Sequence, residues 1–201
     1  MAFDTFDEGI SPGGIRSKNE IRTLICYLLN SVNEPMSKNT VIEAVQKQGL
    51  ANYFEVSSCF DDLIKHNNIY RVETDSPKEE LYFVTENGRL IARQLESTLS
   101  YTVKEKAYTC AISLLKQKKI EKENKVEISK ADSGYRVKCS ISGGNIDLLS
   151  FDIFAPDKNQ AKIIKNNFHK NPELFYKVTI ALLTSNKEFV GEALEELYGI
   201  L

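Results

Sequence analysis

The hydrophobic period of this chain changes from helical to alternating and back again before its midpoint, and that change limits the folds open to it. Ile21, Leu24, Ile25, Leu28, Leu29 and Val32 recur at i, i+3, i+4, i+7, which is one face of a helix. Pro35 follows within a few residues and closes it. Ser37 is placed to cap a second helix with Val41, Ile42 and Val45 inward, and Gly49 ends it. Val56, Cys59, Phe60, Leu63 and Ile64 define a third helix, stopped by Asn67-Asn68. The pattern then turns β-like at residues 69–73 and 81–84, around the polar stretch Thr74-Asp75-Ser76-Pro77-Lys78-Glu79-Glu80. These two runs predict a hairpin with a long tip. Thr85 is placed to cap a fourth helix with Leu90, Ile91 and Leu95 inward.

The rest of the chain reads as a second α+β unit. A helix is expected from about residue 103 to 116, with Ala107, Cys110, Ala111, Leu114 and Leu115 on one face, followed by the charged stretch 116–125. Three strands come next. Val126 and Ile128 alternate with polar residues, as do Tyr135, Val137, Cys139 and Ile141. The third strand covers 146–154 and shifts phase at Leu148-Leu149, which predicts a bulge. Asp132-Ser133-Gly134 and Gly143-Gly144-Asn145 are hairpin turns, so the sheet is expected to be an antiparallel meander. Helices are expected from Asp157 through Phe168, from Asn171-Pro172 to near Thr184, and over a last stretch carrying Phe189, Val190, Ala193, Leu194 and Leu197. The division expected is a loose leader over 1–14, a first domain over 15–99, and a sensing or dimerisation domain over 100–201.

Helix, helix, helix, strand, loop, strand, helix is the order of a winged helix-turn-helix. Such a unit holds its third helix against a bundle and projects the opposite face into a major groove, while the hairpin touches flanking backbone. On that reading the outward face of the third helix offers Ser57, Ser58, Asp61 and Lys65, with Asn52 and Tyr53 at its start, and the DNA contacts expected there are Ser57, Ser58, Lys65, Asn52 and Tyr53. Lys38 and Asn39 at the start of the second helix grip phosphate, and Arg71 and Lys78 belong to the hairpin. Tyr82-Phe83-Val84-Thr85-Glu86-Asn87-Gly88 with Leu90-Ile91 resembles the corresponding stretch of MarR-like and PadR-like regulators. Over about residues 15–184 the chain is similar to an uncharacterised bacterial winged-helix family, a domain of unknown function. The resemblance rests on residues 21–30, Asn52-Tyr53-Phe54 and Tyr135-Arg136-Val137-Lys138-Cys139. It implies a transcriptional regulator and supplies no ligand or operator.

Charge opposes an easy DNA reader. The chain has 26 Lys+Arg and 28 Asp+Glu over 201 residues, which excludes a strongly basic protein binding by charge alone. Residues 1–96 hold 10 Lys+Arg against 15 Asp+Glu, a net of −5, and residues 97–201 hold 16 against 13, a net of +3. Glu55, Asp61 and Asp62 lie on or beside the helix expected to read DNA, where phosphate attraction supplies most of the affinity. Two function classes therefore stand: a homodimeric regulator of double-stranded DNA, with an effector ligand open, and a protein-interaction module of the same fold that does not bind DNA. The basic run Lys116, Lys118, Lys119, Lys122 and Lys125 reads as a solvated helix end and loop, or as a second contact for an acidic partner.

Other chemistries find little support. No phosphate-binding Gly-rich loop, His-Glu-x-x-His or Gly-x-Ser-x-Gly occurs, so neither catalysis nor a cofactor is expected. Cys26, Cys59, Cys110 and Cys139 are scattered without a Cys-x-x-Cys, which argues against zinc and for buried thiols in a reducing cytoplasm, a redox-sensing thiol being the other reading. The acidic start is unlike a secretory signal, and no apolar stretch approaches the ~20 residues of a membrane span. A cytoplasmic protein is expected.

Overall fold

The computed structural model describes residues 9–73, 79–143, 146–185 and 187–200. The protein is of the α+β class and divides into two compact units, Met1–Lys116 and Gln117–Leu201. The first contains α1 (Lys18–Val32), β1 (Met36–Ser37), α2 (Lys38–Gln46), α3 (Tyr53–Lys65), β2 (Ile69–Val72), β3 (Leu81–Val84), α4 (Glu86–Leu95), a short 3-10 turn (Glu96–Thr98) and the start of α5 (Tyr101–Glu123). The helices and hairpin are those the periodicity predicts. The strand β1 is an addition: Met36 pairs with Tyr82 and Ser37 with Leu81, giving the antiparallel order β1-β3-β2. Two residues are too few to show an alternating pattern, so only the pairing reveals the strand.

The core of this unit is the meeting of three apolar stripes. Ile21, Leu24, Ile25, Leu28 and Leu29 of α1, Val41 and Val45 of α2, and Val56, Cys59, Phe60 and Leu63 of α3 are all buried in one cluster. Each such aliphatic or aromatic side chain contributes about 1.5–3 kcal/mol by leaving water. The helix ends follow their local chemistry. The Ser37 hydroxyl accepts from the Thr40 amide, and the α2–α3 turn passes through Gly49 at a φ of 61°, which glycine adopts without a side-chain clash. Asn33 and Asn67 take left-handed conformations just past α1 and α3.

Two features differ from expectation. The leader is not loose throughout: the Ser11 amide donates to the Gly49 carbonyl at 2.8 Å, the Ile15 amide donates to the Leu50 carbonyl at 2.7 Å, and Ile15 is buried. These bonds satisfy the backbone of the α2–α3 turn, which the adjacent helices leave open. Helix α5 runs to Glu123 instead of ending near residue 116. Its charged turns are supported by spacing, since Gln117 donates to Glu121 at 2.9 Å and Lys119 lies 4.0 Å from Glu123. The expected domain boundary at 99/100 precedes this helix, whose Val103, Ala107, Ala111 and Leu114 join the first core.

The second unit is a sheet with helices on one face. β4 (Asn124–Ala131), β5 (Gly134–Gly143) and β6 (Ile146–Ala155) form the expected antiparallel meander in the order β4-β5-β6. The phase shift in β6 is a bulge: Ile141 faces Leu149 and Ser142 faces Asp147, so Leu148 has no partner across the ladder. Gly144 and Asn145 of the second hairpin turn lie outside the described residues. Val137, Cys139 and Ile141 pack beneath α6 (Lys158–Lys170), which brings Ala161 and Phe168 into the same cluster. Asp157 caps α6 by accepting from the amides of Asn159 and Gln160. Then follow α7 (Pro172–Thr184) and α8 (Lys187–Ile200). Phe151, Phe168 and Phe175 make an aromatic cluster, the first and last stacked at 4.8 Å.

The entry into α4 rests on a close approach that only glycine allows. The Thr85 amide donates to the Asn68 carbonyl at 2.9 Å, and the Thr85 hydroxyl accepts from the Gly88 amide at 3.2 Å. A Cβ on Gly88 would overlap the Asn68 carbonyl oxygen and meet Val84 Cγ2 at 2.6 Å. Gly88→Ala is therefore expected to destabilise the protein by roughly 1–3 kcal/mol, as forced overpacking does, despite the better helix propensity of alanine. Urea unfolding followed by circular dichroism measures this; an unchanged midpoint would show that α4 shifts freely.

Candidate functional site

The surface of α3 that points away from the core is built by simple helix geometry. Its buried stripe is Val56, Cys59, Phe60 and Leu63, so Phe54, Ser58, Asp61 and Lys65, at i, i+4, i+7 and i+11, fall on the opposite crest. All four are exposed, Phe54 at 73%. Tyr53 stands beside Phe54 with their rings edge to face at 5.4 Å. Asn52 caps the helix, its side-chain oxygen accepting from the Phe54 amide at 2.9 Å. One backbone amide that could have met a ligand is thereby already bonded.

The three carboxylates of α3 are each met by a cation from another helix. On one flank the buried Glu55 lies 3.6 Å from Lys18, and Asp62 accepts from Arg22 at 2.7 Å. Lys18 and Arg22 are one helical turn apart on α1. On the crest Asp61 accepts from Lys38 of α2 at 2.6 Å, and Lys38 stands 6.0 Å from the Phe60 ring. Pairs open to solvent, as those of Arg22 and Lys38 are, contribute only about 0.2–1 kcal/mol each. The apolar stripe sets the position and rotation of α3, and the pairs neutralise its carboxylates.

The loop end of the β2–β3 ladder carries a connected polar group. Arg71 lies 2.8 Å from Glu80, and the Tyr82 hydroxyl donates to the same carboxylate at 2.9 Å. Arg71 and Tyr82 are directly opposed in the β2–β3 register. Tyr82 also packs edge to face on Phe60 at 5.2 Å, which ties the hairpin to α3. Burial, and then the bond to Glu80, raise the Tyr82 pKa.

Of the residues expected to face DNA, Asn39, Tyr53, Ser58, Lys65 and Arg71 are exposed, and Lys38, Asn52 and Ser57 are half-buried. The fold brings Lys38, Ser57, Ser58 and Lys65 to the α2–α3 surface, and Lys38 and Arg71 are both ion-paired. Lys78 lies outside the described residues. Sequence reasoning misses Phe54, Arg22, Glu80 and Tyr82. Phe54 carries a signal, since it is out of phase with the apolar stripe. The Arg22–Asp62 pair carries none, because its partners are 40 residues apart.

Other candidate chemistries can be placed as well. His66 Nδ1 lies 2.7 Å from the Asp62 carbonyl, and His169 Nε2 lies 2.8 Å from the Asn124 carbonyl. Both rings thus close helix or sheet ends. Among the described residues no group of three or more His, Cys, Asp or Glu is placed to hold a metal, and no helix is long and apolar enough to cross a membrane. Burial pushes the thiol pKa of Cys26 up to about 12 and those of Cys59 and Cys139 up to about 11. All three are buried, and Cys110 is half-buried.

In the native protein a thiol reagent such as Ellman's should modify Cys110 first, with the other three reacting only on unfolding; simultaneous reaction of all four would contradict the burial. The ion pairs are testable through pH. The hydrogen bond from Arg22 holds the Asp62 pKa below its ordinary value. A carboxylate lowered in the folded state adds stability above its unfolded pKa, and this stability disappears as pH falls through the folded one. Arg22→Met should therefore flatten the acid limb of the stability curve between about pH 2 and 5, by no more than the ~1 kcal/mol of a solvent-screened pair. Urea midpoints measured across that range test it, and parallel curves for the two proteins would refute it.

The family model described as "Domain of unknown function (DUF4364)" matches residues 21–183, from the first buried residue of α1 almost to the end of α7. No curated protein and no solved structure matches the chain. The match spans α3, its ion-pair partners Arg22 and Lys38, and the β2–β3 hairpin, while α8 lies beyond it. On that span the chain belongs to the DUF4364 family.

Proposed function

We propose that the first unit is a winged helix and that the protein is a DNA-binding transcriptional regulator acting as a homodimer in the cytoplasm. The observation that carries this reading is the neutralisation of α3. Its three acidic side chains are each ion-paired, Glu55 and Asp62 on one flank and Asp61 on the crest itself, so none of them meets an incoming phosphate as an unpaired charge. The crest offers Ser58 and Lys65 beside the paired Asp61, with Tyr53 and Phe54 at its start. The order α1-α2-α3-β2-β3-α4 and the three-stranded pairing support the same fold. For a dimer, the support is an exposed stripe on α5, where Tyr101, Tyr108 and Ile112 recur at i, i+7 and i+11.

In this reading Lys38 and Arg71 exchange a carboxylate for a phosphate when DNA docks. Both pairs are open to solvent, so breaking them costs little. Asp61 and Glu80 then act as internal competitors that keep non-specific affinity low. Asp61→Asn and Glu80→Gln should each tighten binding to duplex DNA and steepen its salt dependence. The combined change of Lys65, Arg71 and Lys78 to Ala should weaken binding and flatten that dependence, by about 0.9 for each phosphate no longer neutralised. Fluorescence anisotropy with genomic fragments over a salt series measures both. Binding that is absent at low salt, or indifferent to all of these changes, would sink the proposal.

A second reading, a protein-interaction module without DNA binding, is favoured by one observation. Phe54 is 73% exposed beside an exposed Tyr53, an apolar pair with no core role. In that case Phe54→Ala abolishes a stable protein partnership, and DNA affinity is absent in the parent.

A further inference from the structure

The second unit contains a concave site between α7 and α8 that the DNA reading does not use. It has a volume of about 400 Å³, within the range of small-molecule pockets. Its apolar walls come from Tyr176 and Ile180 of α7 and Phe189 of α8. Its rim is acidic in balance: Glu192, Glu195 and Glu196, spaced i, i+3 and i+4 on α8, line it with one cation, Lys177 of α7.

That spacing carries a physical cost. Like charges three and four residues apart on a helix repel and destabilise it. Lys177 of α7 relieves one of them, donating to both oxygens of Glu196 at 3.1 and 3.3 Å. Glu192 and Glu195 have no such cation among the described residues. The wall thus joins two aromatic rings, which attract a cation over their faces, to two carboxylates with no counter-charge among the described residues. A second copy of the same acidic helix would add to the repulsion, and a neutral apolar molecule would leave it in place. A positively charged apolar molecule would remove it.

We propose that the α7–α8 pocket binds a small organic cation with an apolar or aromatic body, its charge held by Glu192 and Glu195 and its body against Tyr176, Ile180 and Phe189. This inference is independent of DNA binding, because the pocket is formed within the second unit alone. Since the family match ends at residue 183, the acidic half of the site lies on a helix outside it.

The test uses the full chain without DNA and a charge-matched probe series: tetraphenylphosphonium, the isosteric anion tetraphenylborate, and neutral triphenylphosphine oxide. Isothermal calorimetry should show saturable binding of the cation at one site, with the anion and the neutral compound weaker by on the order of tenfold or more. The double variant E192Q/E195Q should weaken cation binding to a similar degree. It should also unfold at a higher urea concentration than the parent, because the like charges are removed, so the weaker binding cannot be ascribed to a damaged fold. Phe189→Ala should weaken the cation with no change in thermal unfolding of the sheet. Equal binding of cation and anion, or full binding by E192Q/E195Q, would overturn the proposal. So would absence of cation binding together with dimers in sedimentation that Phe189→Ala dissociates, which would assign the face to a second copy.

Discussion

The seating of α3 on α1 and α2 is the contact on which the rest of the first unit depends. Val56, Cys59, Phe60 and Leu63 are each buried, and with Leu24, Leu28 and Val45 they form the centre of the core. Phe60 also takes the Tyr82 ring from the hairpin, so the position of β3 is set from the same point. The close approach at Gly88 then docks α4 on the turn that ends α3. Removing this packing would cost several kcal/mol per large side chain, far above what any of the surface ion pairs supplies.

Because the buried stripe sets both the position and the rotation of α3, its outward crest is defined by packing, and the one carboxylate on that crest, Asp61, is held by Lys38. An acidic helix can in this way present a face of low net charge. Glu55 and Asp62 sit on one flank, where cations of α1 reach them. This arrangement has a functional consequence under the proposed DNA reading. Affinity is limited by cations that are already engaged, and specificity for a target can rest on the crest and on the hairpin more than on bulk attraction.

Much of this architecture is legible in the residues themselves. The alternation of helix and strand periods predicts α1, α2, α3, the hairpin and α4, and the caps at Ser37, Thr85 and Asp157 are made by the side chains expected. The phase shift at Leu148 announces the bulge. The two-residue β1 is not legible, because its strand character exists only through pairing with β3. The full length of α5 is equally hidden, because a run of lysines reads as a loop, whereas Gln117–Glu121 and Lys119–Glu123 spacing supports a helix. The tethered leader escapes notice for a similar reason: its bonds go to Gly49 and Leu50, far along the chain. The candidate site shows the same division. Asn39, Ser58 and Lys65 are exposed as expected, but the engagement of Lys38 and Arg71 with Asp61 and Glu80 cannot be read from composition.

Local order was thus decided by short-range rules, since hydrophobic period, caps and turns act within a few residues of each other. Those rules suffice for the α+β class, for the element order and for the stripe that α3 buries. The distribution of charge was decided only in three dimensions. Coulomb pairing between solvated groups is screened with distance and links residues 23 and 40 positions apart here, so a count of acids and bases along the chain says how many charges exist and not which of them face outward. The net of −5 that weighs against a DNA reader in the linear chain includes the three carboxylates of α3, and the fold sets each of them against a cation of α1 or α2 while Lys65 stays exposed on the crest.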